Sequence, residues 1–92
     1  MKIVINRCYG GFGISDACAR ALGLDENDKH EDILRGNTQL IAMVEQDSSF
    51  ASDKYAKLEV VEIPNTATDW ELSEYDGYEH IIAVIDGKIV HL

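Results

Sequence analysis

Lys2-Ile3-Val4-Ile5-Asn6-Arg7-Cys8-Tyr9-Gly10-Gly11-Phe12-Gly13-Ile14-Ser15 is the stretch that decides the fold. Ile3, Val4 and Ile5 are β-branched in succession, so Lys2–Cys8 reads as a buried strand opening the chain. Gly10, Gly11 and Gly13 break that strand, with Tyr9 and Phe12 between them. Ser15 is a good helix N-cap, and Asp16 suits the positive end of the helix that follows. Ala17, Cys18, Ala21 and Leu22 line one helical face, and Gly23 is a natural stop. The opening unit is therefore strand, glycine turn, helix.

Working outward, Asp25 to Asp32 holds five acids in eight residues and reads as a solvated loop. Ile33-Leu34-Arg35 is either a short strand or the end of that loop. A second helix is predicted over 38–46, capped by Asn37 or Thr38, with Leu40, Ile41, Met43 and Val44 on its apolar side. Ser48 to Ser52 ends it in polar residues, with Phe50 as an anchor. Tyr55–Ile63 alternates in part and reads as a strand closed by Pro64-Asn65. Trp70, Leu72 and Tyr75 mark another. Ile81–Ile85 is a strand that Asp86-Gly87 turns into a hairpin with Ile89-Val90. The expected fold class is α+β (mixed α/β): a small β-sheet with two helices on one face, in the order β-α-(β)-α-β-β-β-β. Lys2–Cys8, Tyr55–Ile63 and Ile81–Ile85 are expected in one sheet, within a single domain spanning 1–92.

Composition narrows the function classes. The chain has 92 residues, 46% of them hydrophobic, which is enough for one modest core. Seventeen acids against eight bases leave a net charge of −9, so the surface repels nucleic-acid backbones and anionic membranes. Such a surface keeps a small protein soluble and can dock on a basic protein surface. Cys8 and Cys18 are too few for a disulfide framework and lack a metal-binding pattern, so reduced thiols are expected. No secretory leader or bilayer-spanning run is evident, which implies the cytoplasm. No cofactor is implied.

Two constellations bear on chemistry. Glycine-rich turns into helix N-termini can hold anions, because N–H groups and the helix dipole point outward there. Arg7, Tyr9, Gly10, Gly11, Phe12, Gly13 and Ser15 are candidate ligand contacts on that ground, with Arg35 as a second source of charge. The spacing matches neither the dinucleotide fingerprint nor a Walker loop, and the ordinary reading is a tight strand-to-helix connection. The second constellation is Glu74-Tyr75-Asp76-Gly77-Tyr78-Glu79. Tyr75 and Tyr78 can stack on a flat ligand and Asp76 can accept ribose or base donors. The ordinary reading is a hairpin turn with packed tyrosines. Nucleophilic catalysis by Cys8 has no support in the placement of His30, His80 or His91, so an enzyme ranks third.

The opening Met1 to Ser15 closely resembles the start of a widespread family of small bacteriophage and prophage proteins. Arg35 is similar to the arginine that family places before its second helix. The likeness returns at Tyr55-Ala56-Lys57-Leu58-Glu59-Val60-Val61-Glu62-Ile63-Pro64, at Trp70-Glu71, and at Glu74 to Glu79. The segment between the first helix and the arginine is shorter here, and the chain ends in the hairpin Ile85 to Leu92. The resemblance implies a phage accessory protein of the bacterial cytoplasm that counters host defence. Joined to the residues above, it implies a non-enzymatic binder of a small anionic ligand, such as a nucleotide immune signal, acting as a homo-oligomer. The alternative is an acidic interaction module that inhibits a host defence protein by occupying a basic surface.

Overall fold

Ile3, Val4 and Ile5 are all buried because the strand that carries them lies in the middle of the molecule. In the computed structural model, which describes residues 1–25, 27 and 32–92 with Asp32 through its backbone alone, β1 covers Lys2–Asn6. It pairs antiparallel with β2, Leu58–Glu62, so that Val4 faces Val60 and Ile3 faces Val61. A two-stranded ribbon is marginal alone in water. This one is covered on both sides.

Val4, Leu58 and Val60 point to one side, where they pack with Phe12, Ile14, Cys18, Leu34, Leu40, Ile41 and Val44. That layer is helical: α1 is Asp16–Ala21, a 3₁₀ turn spans Asp32–Gly36, α2 is Thr38–Gln46 and α3 is Ser48–Ala51. Side-chain oxygens of Ser15, Asn37 and Asp47 cap α1, α2 and α3, accepting from the N–H groups of Cys18, Leu40 and Phe50. Ile3, Ile5, Val61 and Ile63 point the other way and pack on Ile81. Ile81 belongs to a second antiparallel sheet in the order β3-β4-β5, formed by Ala67–Tyr75, Tyr78–Ile85 and Lys88–His91. The layers run helices, ribbon, sheet.

The class is α+β, with both long helical segments on one face of the ribbon. Four details differ from the sequence reading. The strands divide between two sheets rather than sharing one, because β1's second edge meets side chains and not a strand. Ile33-Leu34-Arg35 is 3₁₀ helix, and Ser48–Ala51 forms a helix of its own with Phe50 half-exposed. Strand pairing also stops short of Arg7-Cys8 and of Tyr55–Lys57. The acidic loop read at Asp25–Asp32 lies mostly outside the described residues. Among the described residues no helix is long and apolar enough to cross a membrane.

Both hairpins of the second sheet turn on Asp-Gly. Asp76 and Gly77 have φ of 51° and 87°, and Asp86 and Gly87 have 53° and 75°, the left-handed pair that a two-residue hairpin needs. Only one of the two turns is packed. A Cβ at Gly77 would lie 2.3 Å from the Gly11 nitrogen, whereas one at Gly87 meets nothing within 4 Å. Gly87→Ala should therefore cost about 1–2 kcal/mol, the left-handed penalty alone. Gly77→Ala should lose a further ~1–3 kcal/mol from overpacking. Urea unfolding of the two variants measures the difference, and equal losses would contradict the packing of the first turn.

Candidate functional site

β1 gives its odd residues to β2: Ile63 donates its N–H to the Met1 carbonyl at 2.7 Å, and Arg7 donates to the Lys57 carbonyl at 2.8 Å. By antiparallel alternation, the backbone groups of Val4 and Asn6 face the opposite edge. No strand lies there. The Arg35 guanidinium donates to the Val4 carbonyl at 3.2 Å, and the Glu79 carboxylate accepts from the Asn6 N–H at 2.7 Å. Arg35 and Glu79 join each other through two bonds, of 2.7 and 2.6 Å. The ion pair thus satisfies β1 as a neighbouring strand would, with one donor and one acceptor in register.

The pair is largely enclosed. Glu79 is buried on β4, and the Arg35 guanidinium lies 4.1 Å from the centre of the Phe12 ring, which covers it. The Asn6 side chain, fully buried, extends the network. Its amide donates to the Cys8 and Gly77 carbonyls at 2.6 and 2.7 Å, and its oxygen accepts from the Lys57 N–H at 2.8 Å. Arg7 closes the far side, donating to the carbonyls of Glu79 and Leu92, each at 3.1 Å, and to the Glu59 carboxylate at 3.3 Å.

The candidate ligand contacts separate into two groups. Arg7, Phe12 and Arg35 take part in this interior network. Gly10 is pressed against protein, since a Cβ there would lie 1.9 Å from the Tyr55 carbonyl oxygen. The Gly11 backbone lies under Gly77, while a Cβ at Gly11 would meet nothing within 4 Å and its φ of 93° is what calls for glycine. The Gly10 N–H donates to the Cys8 carbonyl, and the Gly13 carbonyl accepts from Asp53. Ser15 caps α1 and donates to the Phe50 carbonyl at 2.6 Å. The second group stands at the surface. Tyr9 and Tyr78 have ring centres 5.2 Å apart, Tyr75 faces Tyr78 across the hairpin, and Asp76 is in the turn between them. Glu74 accepts from the Gly77 N–H and holds that turn closed.

The arrangement is a structural staple with an aromatic end above it. The exposed side chains there, Tyr9, Tyr55 and Tyr75, offer apolar rings with polar tips, and the Lys54 ammonium lies 5.2 Å from the centre of the Tyr55 ring. No hydrogen bond joins Cys8 to a histidine among the described residues, and His80 stacks on His91 with ring centres 5.6 Å apart. Burial pushes the Cys18 thiol up from its ordinary range, which suits a core side chain. Among the described residues no group of three or more His, Cys, Asp or Glu side chains is placed to hold a metal ion. Asn6 and Glu79 are the two residues whose weight sequence reasoning missed. A polar Asn ending a β-branched run was the available signal for the first, and Glu79 was masked by the abundance of acids. No family model, curated protein or solved structure matches the chain.

Removing one member of a buried ion pair strands the other, and Glu79→Ala should lose about 3–5 kcal/mol of stability. Replacing such a pair by apolar residues is often harmless, but here it also orphans the Val4 carbonyl and the Asn6 N–H. The Arg35→Met/Glu79→Leu double variant should therefore stay destabilised, by about 1–3 kcal/mol for each orphaned group. Denaturant unfolding decides, and a double variant as stable as the parent would refute the surrogate-strand role.

Proposed function

We propose that this chain is a non-enzymatic acidic interaction module, made by a bacteriophage or prophage in the bacterial cytoplasm, that occupies a basic surface of a host defence protein. The disposition of charge carries the reading. Arg7 lies 3.3 Å from Glu59 and Arg35 2.6 Å from Glu79, so these two cations are engaged within the fold, and Lys2 pairs with Glu45 at 3.0 Å on the surface. Outward stand Asp69, Glu71, Glu74, Asp76 and Asp86, all exposed, while Lys88 is the single lysine or arginine between residues 67 and 91. A surface of one sign raises the encounter rate with a surface of the other. The tyrosines beside Glu74 and Asp76 add the rigid aromatic contacts that interfaces favour.

A nucleotide held at Gly10 to Ser15 is the weaker reading. It draws on Arg7 and Arg35 for charge, and both have partners in the interior network. The resemblance to phage proteins supports the setting equally for either.

Native mass spectrometry of the chain isolated from bacterial host cells tests the choice, because it reports bound protein, bound small molecule and copy number together. The expected result is a complex with one host protein that dissociates as salt is raised. A stoichiometric small anion travelling with the chain would contradict the interaction module and restore the ligand.

A further inference from the structure

β3 hydrogen-bonds to β4 on one side alone, and its other edge is the longest unpaired strand edge among the described residues. We propose that this edge is a strand-addition site for an extended segment of a basic partner protein, one whose side chains alternate between basic and apolar. The proposal rests on the interaction-module reading and specifies its docking mode.

The register fixes what the edge presents. Tyr75 and Tyr78 close a two-residue turn, so they exchange hydrogen bonds, and alternation then directs the backbone groups of Trp70, Leu72 and Glu74 away from β4. The Trp70 N–H is held by the Asp69 side chain at 2.8 Å, and Leu72 near the middle of the strand and Glu74 near its end offer theirs. The two faces of β3 differ in chemistry. Trp70 and Leu72 point to the ribbon side, where with Ile3, Arg35 and Gly36 they line a cleft of about 380 Å³. Trp70 is 39% exposed there. Asp69 and Glu71 are exposed on the opposite face.

An antiparallel strand laid on this edge would set alternate side chains above the cleft and the others beside Asp69 and Glu71. Opposite charges side by side across a strand pair are favourable and like charges are not. A second copy would bring its own Asp69 and Glu71 against these, so the acids bar self-pairing while they invite lysine or arginine. Backbone bonding supplies affinity in such complexes, and the alternating pockets supply selectivity.

The probe is a short, end-blocked peptide of alternating lysine and valine, read by the emission of Trp70, the single tryptophan of the chain. Amide exchange of Leu72 and Glu74 is followed in parallel. The expected result is saturable binding with slowed exchange at both amides. Methylating the valine amides keeps every charge but removes the N–H groups that face β3 when the valines share a face with Leu72. That peptide should bind at least about tenfold more weakly. Glu71→Lys should weaken the parent peptide by a similar factor of about ten. Gly36→Phe should weaken it too, because a Cβ at Gly36 meets nothing within 4 Å and Gly36 lines the cleft that the ring would occupy.

Equal binding of the methylated peptide would reduce the effect to bulk charge and overturn the proposal. Unchanged exchange at Leu72 and Glu74 would do the same, as would exchange that slows with protein concentration alone, the mark of a second copy on the edge. A host complex that forms undisturbed by Glu71→Lys and Gly36→Phe would keep the interaction module and remove the β3 edge from it. Peptide binding without any host complex would do the reverse.

Discussion

The Arg35–Glu79 ion pair occupies the position that a strand would fill in a larger sheet. β1 is the central layer of the molecule, and its outer edge carries a carbonyl at Val4 and an N–H at Asn6 that are out of reach of water. Buried backbone groups without partners are costly, so something must bond them. A helical turn contributes the arginine, a hairpin strand contributes the glutamate, and their mutual bonding neutralises both. Three segments far apart in sequence meet at one point.

That requirement explains several local choices together. Phe12 is held by the glycine turn where its ring can cover the guanidinium. Gly77 lacks a side chain because the turn that carries Glu79 into place is stacked on Gly11. Asn6 ends the strand with a side chain that bonds both turns and the approach to β2. Arg7 ties the C-terminal strand to the same point through the Leu92 carbonyl. The cations used in this way are withdrawn from the surface, and the acids that remain give the molecule its outward character. Architecture and proposed function are thus linked through charge: Arg7 and Arg35 are used inside, and the β3 side of the molecule is left to carboxylates and tyrosines.

Much of the fold was legible in local sequence. Ile3-Val4-Ile5 marked the central strand, Ser15 and Asn37 marked helix starts, and Asp86-Gly87 marked a hairpin, because each is a short-range effect of dihedral preference or capping. The division into two sheets was not legible. It depends on side chains from residues 35 and 79 standing in for a strand on β1, and nothing near residue 4 announces that. The two candidate constellations do meet, with Gly77 against Gly11 and Tyr9 beside Tyr78, but Arg7 and Arg35 turn into the fold there, which nothing in the local sequence announces. Gly10, Gly11 and Gly13 carry the composition of an anion cradle, but close packing by Tyr55 at Gly10 and a left-handed backbone at Gly11 use glycine as readily as a phosphate does. Arg7 and Arg35 carry the charge of a ligand site, and only long-range contacts reveal that the fold itself is their partner.

Amide hydrogen exchange at Asn6 tests the central claim most directly, because that single N–H reports whether Glu79 seals the edge of β1. In the parent chain it should exchange only through global unfolding, at the rate of the slowest core amides. In Glu79→Ala, under conditions where the fold persists, it should exchange by local opening, while the Ile5 amide, on the β2 edge, stays as slow as the rest of the core. An Asn6 amide that is fast in the parent chain, or equally slow with and without the Glu79 carboxylate, would contradict the account.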